Sequence, residues 1–169
     1  MVSRENPAQQ PVDSDSYRPP SARAAAFCAL LNGSYQRLVG TPMADRELGT
    51  AEGARWLYSD APFCLLAHDT SADPTFVYAN RAAQRRFGYD WEEFVGLPSR
   101  LSAGEPDRHE RAEFMATVRR QGYIDDYRGL RVAKSGAQFW IEDATVWNLI
   151  DEDGSLHGQA ALIRRWTDA

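Results

Sequence analysis

The sequence predicts an α+β fold in which a five-stranded antiparallel sheet carries several short helices on one face. Three observations lead to this fold class. Two short strand patterns come first, three longer ones come last, and the helical segments lie between them. Tight turns containing Asp, Ser and Gly join neighbouring strands, which is typical of hairpins rather than of parallel crossovers. The helices must therefore cover one face of an antiparallel sheet, and a cavity is expected between the two layers.

Composition limits what the chain can do. Its 169 residues suit one domain with tails, and 43% hydrophobic with 25% charged residues is a globular balance. A net charge of -5 argues against binding to nucleic acid or to an anionic membrane surface. No segment has the length of a membrane span or the pattern of a signal peptide, and Cys28 and Cys64 lack metal-ligand spacing. We therefore predict a cytoplasmic protein with reduced thiols and no bound metal.

The chain divides into three segments. Residues 1–20 hold four of the nine prolines and little that packs, which predicts a disordered tail. Residues 21–60 are predicted to form an N-terminal helical extension, with Ser21 as the first N-cap and a second short helix over 51–58. Residues 61–166 are predicted to form the α+β domain.

Inside the domain, local signals mark the ends of the elements. PFCLLAHD and TFVYAN are predicted strands; Asn80 caps the helix RAAQRRF, which Gly88 ends, and Asp90 caps WEEFVG. A longer helix runs from Asp107 to Gly122, and the strands YRGLRVA, AQFWIEDATVWNLI and SLHGQAALIRRW follow. Alternation along the second of these three strands predicts that one face carries Phe139, Ile141, Thr145, Trp147 and Leu149.

This arrangement resembles the PAS fold. The phrase FVYANRAAQRRFGYDWEEFVG has residues typical of that fold at Tyr78, Asn80, Phe87, Gly88, Tyr89, Glu92, Glu93 and Gly96. Lys134-Ser135-Gly136 followed by Phe139-Trp140 resembles the family's hairpin before its long strand. Several separated phrases, among them PFCLLAHDTSADPTFVYAN and GQAAL, narrow the resemblance to the MEKHLA domain over roughly Ser21 to Trp166.

The MEKHLA domain is PAS-related. It occurs alone in bacteria and at the C-terminal end of plant class III homeodomain leucine-zipper transcription factors, and this chain resembles the stand-alone bacterial form. The resemblance implies a sensory or regulatory module that binds a small ligand or mediates protein–protein contact in signalling. It implies no catalytic activity, and without the plant proteins' DNA-binding region it implies no transcriptional function.

A small organic ligand would fit a cavity with aromatic and aliphatic walls. The candidate lining residues are Phe63, Leu65, Phe76, Tyr78, Phe114, Val118, Phe139, Ile141 and Trp147. A filled core would use the same residues, so the pattern leaves both interpretations open.

Two PAS cofactors can be compared with the sequence, although neither is predicted. His109 is the candidate haem ligand, because PAS haem sensors use a histidine on the helix before the third strand. Its charged neighbours favour a solvated first turn instead. Flavin adduct photochemistry needs a cysteine in an Asn-Cys-Arg-Phe-Leu context, and Leu97–Leu101 contains none, which excludes that chemistry.

Two questions about partners and activity follow. The apolar face of the 21–40 helix is expected either to form a homodimer or to cap its own sheet, and a separate protein is expected to carry the output. The alternative function is a small enzyme using the cavity for acid–base chemistry. Asp125, Asp126 and Tyr127 are adjacent but alternate in direction along a strand, and no phosphate loop or nucleophile elbow is present, so we predict a non-enzyme.

Overall fold

The computed structural model describes residues 17–104 and 107–169. Its helices are α1 (Ala22–Val39), α2 (Ala51–Ser59), α3 (Arg81–Phe87), α4 (Trp91–Phe94) and α5 (Arg108–Gln121). Its strands are β1 (Cys64–His68), β2 (Phe76–Ala79), β3 (Tyr123–Val132), β4 (Gln138–Ile150) and β5 (Leu156–Asp168). A short 3-10 helix, Ser99–Ser102, lies between α4 and α5.

The five strands form one sheet in the order β2-β1-β5-β4-β3, and every neighbouring pair is antiparallel. The predicted fold class is therefore confirmed. The central strand is β5, the last along the chain, and within the sheet it joins the two N-terminal strands to the β3–β4 hairpin. The helices α3 to α5 follow β2 along the chain and cover one face of this sheet.

Local capping chemistry sets the ends of the short helices as expected. Asn80 accepts a hydrogen bond from the backbone N–H of Ala83 and begins α3, and Gly88 ends it with a left-handed φ of 78°. Asp90 begins α4 through a capping box in which its side chain and that of Glu93 each accept from the other's backbone N–H. These caps orient α3 and α4 on the sheet within a very short stretch of chain.

The sheet separates two apolar clusters. On the face toward α3 and α4 lie Leu66, Ile141 and Ile163, packed with Phe87 and Phe94. On the opposite face Leu65, Trp147 and Leu162 pack with Phe27, Leu31 and Tyr35 of α1. Both faces of the sheet are thus covered, one by the short helices and the other by the N-terminal extension.

The helix α1 is bound to its own sheet by polar contacts as well. Ser34 Oγ donates to the carbonyl of Ile150 at 2.8 Å and accepts from the same residue's N–H at 3.0 Å. Arg164 donates to the hydroxyl of Tyr35 at 2.8 Å, and the ring of Tyr35 meets that of Trp147 edge-on at 5.0 Å. Of the two expectations for the 21–40 helix, the structure places it as a cap on its own sheet, and the homodimer stays a prediction.

The alternation predicted for β4 changes at Asp143. This residue has a φ of 49°, which an ordinary side chain rarely adopts, and the regular pleat is interrupted there. Phe139 and Ile141, before it, face the short helices, whereas Trp147 and Leu149, after it, face α1. The predicted single face of five residues is therefore wrong, because counting by twos across an irregular residue assigns the second half of the strand to the wrong side.

Packed structure begins before the predicted start of the extension. Tyr17 stacks on Phe27 with ring centroids 4.1 Å apart, so residues 17–20 of the predicted tail lie against the domain. The first sixteen residues of that tail lie outside the described residues. Within 17–104 and 107–169, no helix combines the length and the apolar character needed to cross a membrane.

Candidate functional site

The face of the sheet that carries α5 contains a cavity in two neighbouring parts that share lining residues. An inner chamber of about 30 Å³ lies against the sheet, and an outer cleft of about 390 Å³ opens to solvent between α5, the loop after β1 and the start of β5. Four side chains border both parts: His68, Arg111, Met115 and Gln159. The outer volume falls within the range of about 300–1,000 Å³ that is usual for small-molecule sites.

Arg111 lies in the first turn of α5, at the junction of chamber and cleft. It is only 9% exposed, and its Nε is sealed from solvent. Within the described part of the chain, that nitrogen has no hydrogen-bond partner and the guanidinium forms no ion pair with a carboxylate. Burial lowers the pKa of Arg111 to about 10, and the positive charge of Arg131 acts in the same direction. Among the residues that the structure describes, this buried charge therefore has no counter-ion.

The second arginine nearby has partners of its own. Arg131 is buried, and it donates to its neighbour's carbonyl, Leu130 O, at 2.8 Å and to the hydroxyl of Tyr127 at 3.3 Å. Neither partner is a carboxylate, so these contacts do not neutralise the charge of Arg131. They do use two of its N–H donors. The two buried guanidinium groups are near enough for the charge of Arg131 to lower the pKa of Arg111.

Gln159 presents a carbonyl oxygen at the same junction. Its Nε2 donates to the carbonyl of Met115 at 3.1 Å and to Asn148 Oδ1 at 3.1 Å. The Asn148 amide is oriented in turn, because its Nδ2 donates to the carbonyls of Val118 and Arg119 at the end of α5. Since both partners of the Gln159 nitrogen are acceptors, the amide cannot be reversed. Its Oε1 is left buried and without a hydrogen-bond partner among the described residues.

His68 ends β1 on the same face as Leu66 and is largely buried. Its Nδ1 lies 2.9 Å from the carbonyl oxygen of Asp69, so Nδ1 carries the proton in the neutral ring. Burial lowers the pKa of His68 below its ordinary value, and the charge of Arg111 adds to this, while the Asp69 carbonyl and the Gln159 side chain act against it. The lowered pKa keeps the ring neutral at neutral pH, with its proton on Nδ1.

Gly158 allows β1 and β5 to approach at this point. Its φ is 148°, and a Cβ built on it would lie 1.9 Å from the carbonyl oxygen of His68. Only glycine fits so close an approach. The glycine thereby places His68 and Gln159 side by side at the floor of the cleft.

The rim of the cleft is a rigid loop. The Asp69 carboxylate accepts from the backbone N–H groups of Ser71 and Thr75 and from both of their hydroxyls, at 2.6–3.2 Å. Burial raises the pKa of Asp69, but these hydrogen bonds together outweigh it and hold the pKa below its usual range. On the other side of the rim Arg100 pairs with Asp73 at 3.2 Å. The loop that borders the cleft is thus fixed by its own side chains.

The candidate lining residues from the sequence are distributed over several places. Phe76 and Ile141 line the inner chamber. Leu65, Tyr78 and Trp147 lie in the cluster with α1, and Phe63 packs against that cluster. Phe139 packs on Phe87, with ring centroids 5.1 Å apart, and fills the space beside the chamber. Ligand binding by any of them stays a prediction.

The remaining two candidates belong to α5 but do not line the chamber or the cleft. Phe114 stacks on Tyr127 at 3.8 Å, and Val118 is fully buried, with its carbonyl accepting from Asn148. The helical row that lines the cleft is the other one, formed by Ala112, Met115, Ala116 and Arg119. A helix turned by about 100° per residue places these two rows on different sides.

The cofactor candidates can be compared with these dimensions. The side chain of His109 is 86% exposed and pairs with Glu113 at 3.2 Å, away from the cavity. The inner chamber holds about two water molecules, which is far too little for a flavin ring or a haem. Neither group fits this arrangement of the chamber. Burial also raises the pKa of both thiols, Cys28 and Cys64, to about 12, so neither cysteine is a ready nucleophile.

Sequence reasoning missed the polar groups at the floor of the cleft. Two of these residues follow from a local signal in the sequence. His68 shares the alternation of Cys64 and Leu66, and Gln159 is the polar residue in the otherwise apolar stretch GQAALI. Arg111 gives no such signal, because it lies in a charged helical turn that reads as solvated. Across residues 17–104 and 107–169, no group of three His, Cys, Asp or Glu side chains is placed to hold a metal ion.

Comparison with known sequences agrees with this architecture. The profile of the MEKHLA domain matches residues 25–168. The homeobox-leucine zipper protein ATHB-9 of Arabidopsis thaliana is 27% identical over 112 residues, covering 66% of this chain and 13% of that protein. ATHB-14 of the same plant is 24% identical over 153 residues, covering 88% of this chain and 18% of that protein. The chain therefore spans less than a fifth of the length of these curated relatives.

Solved structures show the same fold. A PAS domain from Colwellia psychrerythraea matches with a TM-score of 0.57 at 18% identity, over 70% of this chain and 94% of that one. The LOV domain from the Erythrobacter litoralis EL346 blue-light activated histidine kinase matches with a TM-score of 0.53 at 24% identity, over 64% of this chain and 96% of that one. At these identities the likeness establishes the fold.

Proposed function

The chain belongs to the MEKHLA domain family, and from this premise we propose that it is a PAS-like sensory module that binds a small organic molecule. The binding site is the outer cleft between α5, the loop after β1 and the start of β5. The ligand reaches down to the inner chamber, and its presence is communicated through the sheet.

One observation carries the proposal. Side chains with unused hydrogen-bonding capacity, Arg111 and Gln159, meet at the floor of an open cleft of about 390 Å³. A buried polar atom without a partner destabilises a folded protein, and native structures contain few of them. Two in one place, next to a volume that a small molecule can fill, are best explained by a ligand that supplies the missing partners.

We propose binding without turnover. The titratable group at the floor of the cleft, His68, is held neutral beside Arg111 and has no carboxylate ion pair in the described structure that would orient it as a base. Acid–base catalysis needs such a group positioned against a reacting atom. The alternative, a small enzyme using the same cavity, would require His68 to act alone.

The opposite face of the sheet offers a route for the signal. Gln159 faces the cleft, and its neighbour Ala160 faces α1 in the other cluster. A ligand that moves Gln159 would therefore also move the adjacent residue, Ala160, which packs in the cluster that contains α1. We propose that the 21–40 helix carries this change to a second copy of the chain or to a separate output protein.

A cleft-filling variant tests the site. Ala116→Trp places a large ring in the cleft from an exposed position of α5, and Glu113→Trp places the same ring on the same helix outside it. Screening a metabolite library by thermal unfolding should yield compounds that raise the melting temperature of the wild type and of Glu113→Trp by about 5–10 °C near saturation. Ala116→Trp should not respond. Equal shifts in all three proteins, or no shift in any, would refute the proposed site.

A further inference from the structure

We propose that the ligand is a small organic monocarboxylate, whose carboxylate pairs with Arg111 and whose body lies in the outer cleft. This inference rests on the proposed function and names the chemical class of its ligand. Arg111 is the reason, because no described residue provides the negative charge that a buried guanidinium requires. It borders both parts of the cavity, so an anion at their junction would lie beside its guanidinium group.

The charges around the cleft favour a ligand that carries a single negative charge. Arg100 is already paired with Asp73. The negative charge of Asp69 balances the positive charge of the exposed Arg119 on the opposite wall of the cleft.

Among the charged side chains that line the outer cleft, this leaves the positive charge of Arg111; Arg131 lies deeper, against the inner chamber, and some of its donors are already used. A single negative charge balances Arg111, whereas a doubly charged phosphate would leave one negative charge unbalanced in the cleft. A planar carboxylate also matches the two parallel donors of a guanidinium.

The other surfaces of the cleft describe the rest of the ligand. Pro74, Ala112, Met115 and Leu156 provide an apolar wall for a compact aliphatic or aromatic body. Gln159 Oε1 needs a donor, and its amide cannot turn to remove that need. A hydroxyl on the carbon next to the carboxylate would supply the donor, so 2-hydroxy acids should bind more tightly than the corresponding unsubstituted acids.

Four probes separate these features. Phenylacetate and mandelate differ by that hydroxyl, and phenylacetamide and mandelamide have the same shapes without the charge. Calorimetric titration of the wild type should give mandelate as the tightest ligand and each acid at least about tenfold tighter than its amide. Arg111→Met should lose about tenfold to a hundredfold in affinity for the acids, with amide binding unchanged. Arg111→Lys should keep part of the preference for acids, and Arg119→Met should change little.

A readout without ligand separates binding from a structural role. Free Arg111→Met should melt no lower than the wild type, because the substitution removes an unpaired buried charge at similar volume. A marked loss of melting temperature would show instead that Arg111 serves the fold, and would overturn the inference.

The remaining outcomes are equally distinct. Amides that bind as tightly as acids, or acids that bind Arg111→Met as tightly as wild type, would overturn the carboxylate and leave the proposed function standing. Tighter binding of inorganic phosphate than of phenylacetate would overturn the choice of a monoanion. Failure of both acids to bind would also overturn the inference, while the library screen with Ala116→Trp decides the proposed function separately.

Discussion

The side chain of Asn80 binds four backbone groups from three segments of the chain at the corner between β2 and α3. Its Oδ1 accepts from the N–H groups of Leu65 and Ala83 at 3.0 and 3.1 Å. Its Nδ2 donates to the carbonyls of Leu57 and Phe63 at 3.1 and 3.0 Å. The residue is fully buried, so in Asn80→Ala these four backbone groups lose partners that water cannot easily replace.

The expected loss can be worked out from these contacts. Removing an N-cap costs about 1 kcal/mol, and each buried group left unsatisfied costs about 1–3 kcal/mol. Because some of the groups will relax together, we expect Asn80→Ala to lower the free energy of unfolding by about 3–5 kcal/mol. Equilibrium unfolding in urea measures this. Asn32→Ala is the control, because its side chain accepts one bond, from Met43 N at 3.3 Å, and should cost about 1 kcal/mol or less.

A conservative change at the same position tests the direction of the bonds. Asn80→Asp keeps the acceptor toward the two N–H groups but places an oxygen against two carbonyls. It should be at least as unstable as Asn80→Ala at neutral pH and should recover in part when the new carboxyl is protonated. A decrease in the free energy of unfolding of less than about 1.5 kcal/mol for Asn80→Ala would refute the reasoning that the four hydrogen bonds together stabilise this corner.

Three further predictions concern the floor of the cleft and the thiols. Gly158→Ala should lower the free energy of unfolding by about 2–5 kcal/mol in urea, since its Cβ would meet the carbonyl of His68; a change within about 0.5 kcal/mol would contradict the close approach. Because the folded state lowers the pKa of His68, the unfolded chain takes up a proton first, and stability should fall as the pH drops below about 6.5. His68→Gln should remove that part of the dependence, and an unchanged slope between pH 7.5 and 5.5 would assign it elsewhere. Native Cys28 and Cys64, with pKa values of about 12, should react with a thiol reagent only after denaturation; rapid labelling of the folded protein would contradict their burial.

The parts of the fold that depend on local chemistry could be predicted from the sequence. Asn80, Gly88 and Asp90 determine helix ends through contacts within a few residues, and such contacts follow from the residue types. The order of strands and helices then leaves few ways to build an antiparallel sheet with one helical face. The fold class follows from these signals without any knowledge of packing.

The site could be predicted only in part, for two physical reasons. The sheet is apolar on both faces because α1 covers the second one, so apolar character alone does not say which side faces the cavity. The pleat of β4 is also interrupted at Asp143, which moves Trp147 to the face under α1. Ile141 precedes that point on β4 and lines the inner chamber.

The polar floor was missed for a different reason. Whether a charged side chain is buried depends on what packs over it from distant parts of the chain. Arg111 stands among charged neighbours on α5, and it is enclosed by residues of other elements, among them His68 of β1 and Gln159 of β5. A sequence pattern gives the residue type, but burial and ion pairing depend on contacts between distant parts of the chain. A buried charge without a partner can therefore be identified only from the structure.

Native mass spectrometry tests most directly whether the cleft beside α5 binds a small molecule. Wild type, Glu113→Trp and Ala116→Trp would be incubated with the same protein-free metabolite extract and measured under identical gentle conditions. Binding in this cleft predicts that wild type and Glu113→Trp gain the mass of one small molecule and that Ala116→Trp, with its cleft filled, stays at the mass of the bare chain. The same added mass on Ala116→Trp, or none on the wild type, would contradict it.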